Sequence, residues 1–274
     1  MTLGNEFLSV KTDSSAGGRI ISLFDKTAGR ELLWYDASRV PADPELDYDG
    51  NFAGGMDELL PCDPPENGWP DHGELWTAQV NEKFTDNILE TSVLLPLSGL
   101  EYKRTLRLAG NSVICNYEIT NRSGKAVDFL WKLHGAFAAA AGDRLDVPAG
   151  CIQAADPGNW SKAADAMPRL WHNDYVLPAM DGSSDFFYLT DLASGKMAVD
   201  FAAGGRVECS FDPAVFAAAW VFASFGRLNG SRCIILEPCT NYPGTLAEAK
   251  QAKVCAHLEA DEQLTTQVCW QIIN

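Results

Sequence analysis

Alternation is the dominant pattern along this chain. In EYKRTLRL, Tyr102, Leu106 and Leu108 alternate with Lys103, Thr105 and Arg107; beyond a Gly-Asn turn, Val113, Cys115, Tyr117 and Ile119 alternate with mainly polar residues. A period of two sends successive side chains to opposite faces of a strand, so this stretch predicts a hairpin with a short turn. The C-terminal QLTTQVCWQII has the same habit, with Leu264, Thr266, Val268, Trp270 and Ile272 on one face and Thr265, Gln267 and Gln271 on the other. Shorter strands are expected at GRIISLF, NILETSVLLP, FFYLT, KMAVDFA, RVECSF, AWVFASF and RCIILEP.

Turn clusters such as SSAGG, TAGR, DGSSD, AAGG and LNGS separate these runs at spacings usual for sandwiches and barrels. Helical periodicity is almost absent. The one expected helix is TLAEAKQAK, with Thr245 placed to cap its N-terminus. Many short strands without strand-helix alternation predict an all-β, largely antiparallel architecture. Val40 to Pro70 is rich in Pro, Asp and Gly and has little periodicity, which predicts an ordered loop lining a cleft.

Composition narrows the function without naming it. The 274 residues are 46% apolar and 21% charged, a globular balance compatible with one large β domain over residues 1–274. A formal net charge of -16 repels phosphate backbones and anionic lipid, and no segment has the apolar length of a membrane helix. We therefore expect neither nucleic acid nor membrane as partner, and a small molecule of little charge as ligand. The oligomeric state is not readable. The eight cysteines show no paired spacing and several lie inside apolar runs, so reduced core thiols and a cytoplasmic location are expected.

Three polar positions stand out. Glu237 ends the apolar strand CIILEP and precedes a proline, so its carboxylate is either a partly desolvated proton acceptor on a rigid element or a strand-end group in solvent or an ion pair. His134 lies between the strand-like VDFLWKL and the small apolar GAFAAAAG, as a core histidine or one aimed into a pocket. His72, in WPDHGELW, has Asp71 and Glu74 nearby to fix its tautomer, but such pairs are also common in loops without function. His172 and His257 have no supporting context. Convergence of His72, His134 and a carboxylate would make a metal triad, yet no H-x-H, H-E-x-x-H or paired-cysteine spacing supports one, and neither metal nor cofactor is expected. No G-x-S-x-G or P-loop occurs.

In order along the chain, GGRIISLFDKTAGRELLW, DHGELW, YEITNRSGKAVDFLWKLHGAF and CIILEPCTNYPG resemble the motifs of the aldose 1-epimerase (galactose mutarotase-like) superfamily. The resemblance implies a β-supersandwich with few short helices, a monosaccharide substrate and no cofactor. It implies Glu237 as the base that takes the C1 hydroxyl proton, His134 as the acid that protonates the ring oxygen, and His72 as a sugar-binding histidine. Asp185 in SSDFFYLT is similar to an aspartate that binds a sugar hydroxyl, and Trp76 is a candidate to stack on the sugar, with Trp69, Trp131 and Trp220 offering further rings or core filling. One departure is NFAGGMDELLP, where Met56, Asp57 and Glu58 stand in place of the basic residue many galactose mutarotases carry, which weighs against galactose. A hexose 6-phosphate is disfavoured by the acidic surroundings. The expected activity is exchange of aldose anomers, with a non-catalytic carbohydrate-binding protein on the same fold as the alternative.

Overall fold

The computed structural model of the chain describes residues 1–43, 45–154 and 169–274. Among them the strands form two large sheets and one small one, and every strand pair is antiparallel. The larger sheet has eleven strands, and its middle runs in the order Arg19–Asp25, Gly55–Leu59, Lys132–Ala138, Arg232–Cys239, Ala218–Phe225, Ser184–Leu192. The second has eight, centred on Arg206–Ser210, Gln263–Ile273, Ser112–Asn121 and Leu100–Ala109. Val127–Phe129 pairs with Ala256–Leu258 as a separate ribbon.

The alternation in the sequence is the alternation of burial. Along Leu100–Ala109 the odd face is half-exposed while Tyr102, Arg104 and Leu106 are buried, and along Gln263–Ile273 the residues Val268, Trp270 and Ile272 are buried. Those inward faces meet across the sandwich. Phe137 of the large sheet packs on Trp270 of the smaller one at 5.4 Å between ring centroids, and Trp131 packs on Tyr117 at 5.0 Å. At about 25 cal/mol per Å² of apolar surface removed from water, such large rings dominate the stabilisation. The all-β expectation therefore holds, and the helix expected at TLAEAKQAK is Leu246–Gln251, capped by the Thr245 hydroxyl accepting from the Glu248 amide at 3.2 Å. Among the described residues no helix is long and apolar enough to cross a membrane.

The stretch from Val40 to Pro70 does line a cavity, through Tyr48, Asp49, Phe52 and Asp63, but it is not loop throughout. It holds a short helix, Tyr48–Asn51, and the strand Gly55–Leu59, whose five residues are all buried in the middle of the large sheet. Burial on both faces removes the period-two signature that makes a strand visible. Asp57 points to one face and Glu58 to the other. Glu58 enters the core between the sheets, where Arg104 pairs with it at 2.9 Å and the Tyr102 hydroxyl donates to it at 2.7 Å.

Candidate active site

The outward face of the large sheet, opposite its core, carries the polar cluster. Its strand register builds a row of side chains: Asp57 lies opposite His134, and Glu237 opposite Trp220, which is opposite Tyr188. The His134 and Glu237 strands pair with Lys132 opposite Cys239 and Gly135 opposite Leu236, a register that sets His134 opposite Glu237. Directly opposed residues on one face have Cβ atoms about 4.5–5.5 Å apart. Both side chains line a cavity of about 170 Å³ and both are buried.

His134 is held from behind. Its Nδ1 is 3.0 Å from Asp57 Oδ1, and the Tyr48 hydroxyl donates to Asp57 Oδ2 at 2.9 Å. Arg19 donates to the same Oδ2 at 2.9 Å. Burial works to raise the Asp57 carboxyl, but Arg19, His134 and the hydrogen bonds from His134 and Tyr48 outweigh it and hold it at about 2. An ionised Asp57 can only accept, so Nδ1 of His134 carries a proton and Nε2 is left for the cavity. A carboxylate behind the ring orients it.

Glu237 is held by a cation that the sequence did not single out. Lys132 lies two residues before His134, hence on the same face of that strand, and its Nζ is 3.1 Å from Glu237 Oε2 and 2.6 Å from Asp63 Oδ1. The ammonium also sits 4.5 Å from the ring centroid of the fully buried Trp220. Burial alone would strip its proton; Asp63 first and Glu237 next reverse that and raise the lysine far above its ordinary range. Asp63 in turn is partly buried, which works against its charge, yet Lys132 and then His72 hold it below the usual carboxylate range.

His72 joins the same cavity from a left-handed turn, with a backbone φ of 59°. The next residue must be glycine: a Cβ on Gly73 would stand 2.2 Å from the Leu60 carbonyl oxygen. Asp71 Oδ1 meets His72 Nδ1 at 2.9 Å, Asp63 lies 3.4 Å from Nε2, and Tyr48 stacks flat on the imidazole at 4.0 Å. Glu74 plays no part here; its carboxylate accepts from the Leu97 and Ser98 amides at 2.7 and 2.9 Å.

The structure thus brings Glu237, His134 and His72 together, and it places Asp185 and Trp76 elsewhere. Phe186 lines the cavity, so by alternation the neighbouring Asp185 turns to the other face, where its buried carboxylate accepts from the Tyr175 hydroxyl. Trp76 stands behind Tyr48, edge-on at 5.0 Å, and its indole N–H donates to the Asp71 carbonyl at 3.1 Å. Trp131 is core, and the aromatic rings on the cavity wall are Tyr48, Phe52, Phe186 and Phe222. The residues sequence reasoning missed are Lys132, Asp63, Asp57 and Tyr48. One signal for Lys132 was available: a cation at strand spacing from His134 within an otherwise apolar run. Among the described residues no set of three His, Cys, Asp or Glu side chains converges as metal ligands.

No family model and no curated protein matches the chain by sequence. Solved structures do match its fold over nearly the whole length. A Synechocystis protein superposes with a TM-score of 0.79 at 17% identity, over 100% of this chain and 95% of the other. A galactose mutarotase related enzyme from Lactobacillus acidophilus gives 0.73 at 14% identity, over 100% and 97%. An Escherichia coli protein provisionally assigned as an aldose 1-epimerase gives 0.75 at 13% identity, over 99% and 98%. The chain has the galactose mutarotase-like fold.

Proposed function

We propose that this protein interconverts the anomers of a monosaccharide. Glu237 takes the proton from the C1 hydroxyl, and His134, protonated on both nitrogens, gives the Nε2 proton to the ring oxygen. The C1–O5 bond breaks, the open aldehyde turns its carbonyl face, and reclosure returns each proton to its donor. Anomer exchange moves one proton off and one proton on within a single hemiacetal, so a carboxylate and an imidazole are sufficient chemistry for it. The observation that carries this reading is the opposition of Glu237 and His134 on neighbouring strands, because that spacing suits two oxygens attached to one carbon. Asp57 supports the acid, Lys132 the base, and His72 with Asp63 is at hand for a further sugar hydroxyl.

The fold likeness supports the same reading at the level of architecture, since relatives of this shape include an enzyme described as galactose mutarotase related. All eight thiols are unpaired, which supports a reducing compartment and thus the cytoplasm. The test is direct. Polarimetry or exchange NMR of freshly dissolved α-aldoses should show acceleration by the wild type and a loss of about 10²- to 10⁴-fold in Glu237→Gln. Unchanged exchange across a broad panel of sugars would leave a binding protein in place of an enzyme.

A further inference from the structure

We propose that Asp49 binds the substrate, its carboxylate oxygens accepting from sugar hydroxyls away from the anomeric carbon; the inference rests on the anomer-exchange reading of the same cavity. Asp49 belongs to the helix Tyr48–Asn51 and lines the cavity together with Tyr48 and Phe52. Those two rings stand edge-on to the His134 imidazole, at 5.5 and 5.9 Å between centroids, so the segment that carries Asp49 is seated beside the proposed acid. The main chain of Asp49 is fixed without help from its side chain. Its carbonyl accepts from the Phe52 amide at 3.3 Å and from the Asn229 side chain at 2.9 Å, next to the lining residue Leu228.

The carboxylate of Asp49 differs from the others around the cavity in having no protein donor. Asp57 accepts from Arg19 and Tyr48, Asp71 from the Tyr48 amide at 2.9 Å, and Asp63 and Glu237 share the Lys132 ammonium. Among the described residues both hydrogen bonds that Asp49 accepts fall on its main-chain carbonyl, and none on its side chain. Loss of water raises its carboxyl from the ordinary value, while the charges of His72 and, more weakly, Lys132 lower it. Both of those residues line the same cavity, so the carboxylate faces into it. An ionised carboxylate is an acceptor only, and one that has given up water without gaining a donor is completed by a ligand that supplies one. A pyranose does so. With O1 at Glu237 and O5 at His134, the rest of its ring shares the cavity of about 170 Å³ whose wall includes Asp49. An anionic sugar would instead bring a second negative charge to that wall.

Two variants test the assignment, Asp49→Ala and Asp49→Asn, with the aldose of a broad panel that the wild type turns over best and with its monodeoxy forms. A hydrogen bond to a charged group contributes about 10- to 100-fold in affinity, so Asp49→Ala should raise KM for the parent sugar by that factor, with the smaller effect on kcat. Asp49→Asn keeps one acceptor oxygen and should fall between. At least one monodeoxy sugar should show a similar loss with the wild type and little further loss with Asp49→Ala, because the partner of the missing hydroxyl is already gone. That sugar identifies the hydroxyl. Wild-type KM in the folded variants, or full additivity for every monodeoxy sugar, would overturn the proposal. Should no aldose exchange faster with the wild type, the enzymatic reading fails by itself. The panel is then compared by saturation-transfer NMR, where weaker sugar binding by Asp49→Ala supports the assignment, and equal binding, or no binding of any sugar, overturns it.

Discussion

The ammonium of Lys132 stands 3.1 Å from Glu237 and 2.6 Å from Asp63 in a site where the lysine side chain is 3% and the glutamate 1% exposed. One buried cation thus holds a buried carboxylate, Glu237, and a partly exposed one, Asp63, and through Asp63 it is linked to His72 at 3.4 Å. Removing it by Lys132→Met leaves the buried charge of Glu237 without its cation and beside a second, partly exposed carboxylate. Breaking a buried pair in this way costs about 3–5 kcal/mol. We expect chemical denaturation to show that loss, and Lys132→Met/Asp63→Asn to recover part of it, because one of the two uncompensated charges is then gone. Additive losses in the double variant would show that the two side chains are not coupled.

Asp57 gives the fold a defined acid sensitivity. Its folded carboxyl is held at about 2 against an ordinary 3.8, so the ionised form is favoured by the native state. The sign follows: the contribution is complete above the ordinary value, shrinks as pH falls from there toward 2, and is lost below. The shift corresponds to about 2 kcal/mol. In Asp57→Asn the slope of stability against pH between about 4 and 2 should flatten. Anomer exchange should fall by about tenfold or more, because the imidazole of His134 loses both its orientation and its counter-charge. Retention of wild-type exchange would mean that Asp57 serves Arg19 alone.

Much of this was legible in the sequence because it is local. Alternation located the hairpin after Tyr102 and the last strand through Trp270, and the apolar run ending in Glu237 marked a carboxylate on a rigid element. Three of the five proposed site residues, Glu237, His134 and His72, do meet in one cavity. The partners that make them a site were not local. Asp57 reaches His134 across 77 residues of sequence, and that meeting is decided by strand register, which no short motif records. Asp185 failed for a related reason: a displacement of one residue in a strand reverses the face, so Phe186 took the cavity. Trp76 is aromatic and only four residues after His72, yet the turn at His72 and Gly73 sends its ring behind Tyr48.

Glu58 tests whether the core and the cavity are separate. It neighbours Asp57 but faces the other way, with Arg104 at 2.9 Å between the sheets and both side chains almost completely buried. Glu58→Gln leaves the Arg104 guanidinium without its counter-charge, at a cost of about 3–5 kcal/mol. Equilibrium unfolding in denaturant should show this, while KM and kcat of the folded fraction stay at wild-type values. A large change in kcat would mean that strain passes through the Gly55–Leu59 strand to His134.

The thiols offer a test that needs no substrate. All eight cysteines are unpaired, and five of them, Cys62, Cys115, Cys209, Cys233 and Cys239, are buried. Burial pushes Cys62 and Cys233 up to about 12 and Cys115 to about 11, so these thiols are neither reachable nor ionised at neutral pH. The partly exposed Cys151, Cys255 and Cys269 are the only ones a reagent can reach without unfolding. A chromogenic disulfide reagent at pH 8 should therefore titrate no more than those three in the native protein and all eight in denaturant, and reductant should leave the melting temperature unchanged. Rapid reaction of more than three native thiols would show that the sheets open on the timescale of labelling, because the buried ones lie on strands or against the core and become accessible only when the surrounding packing parts.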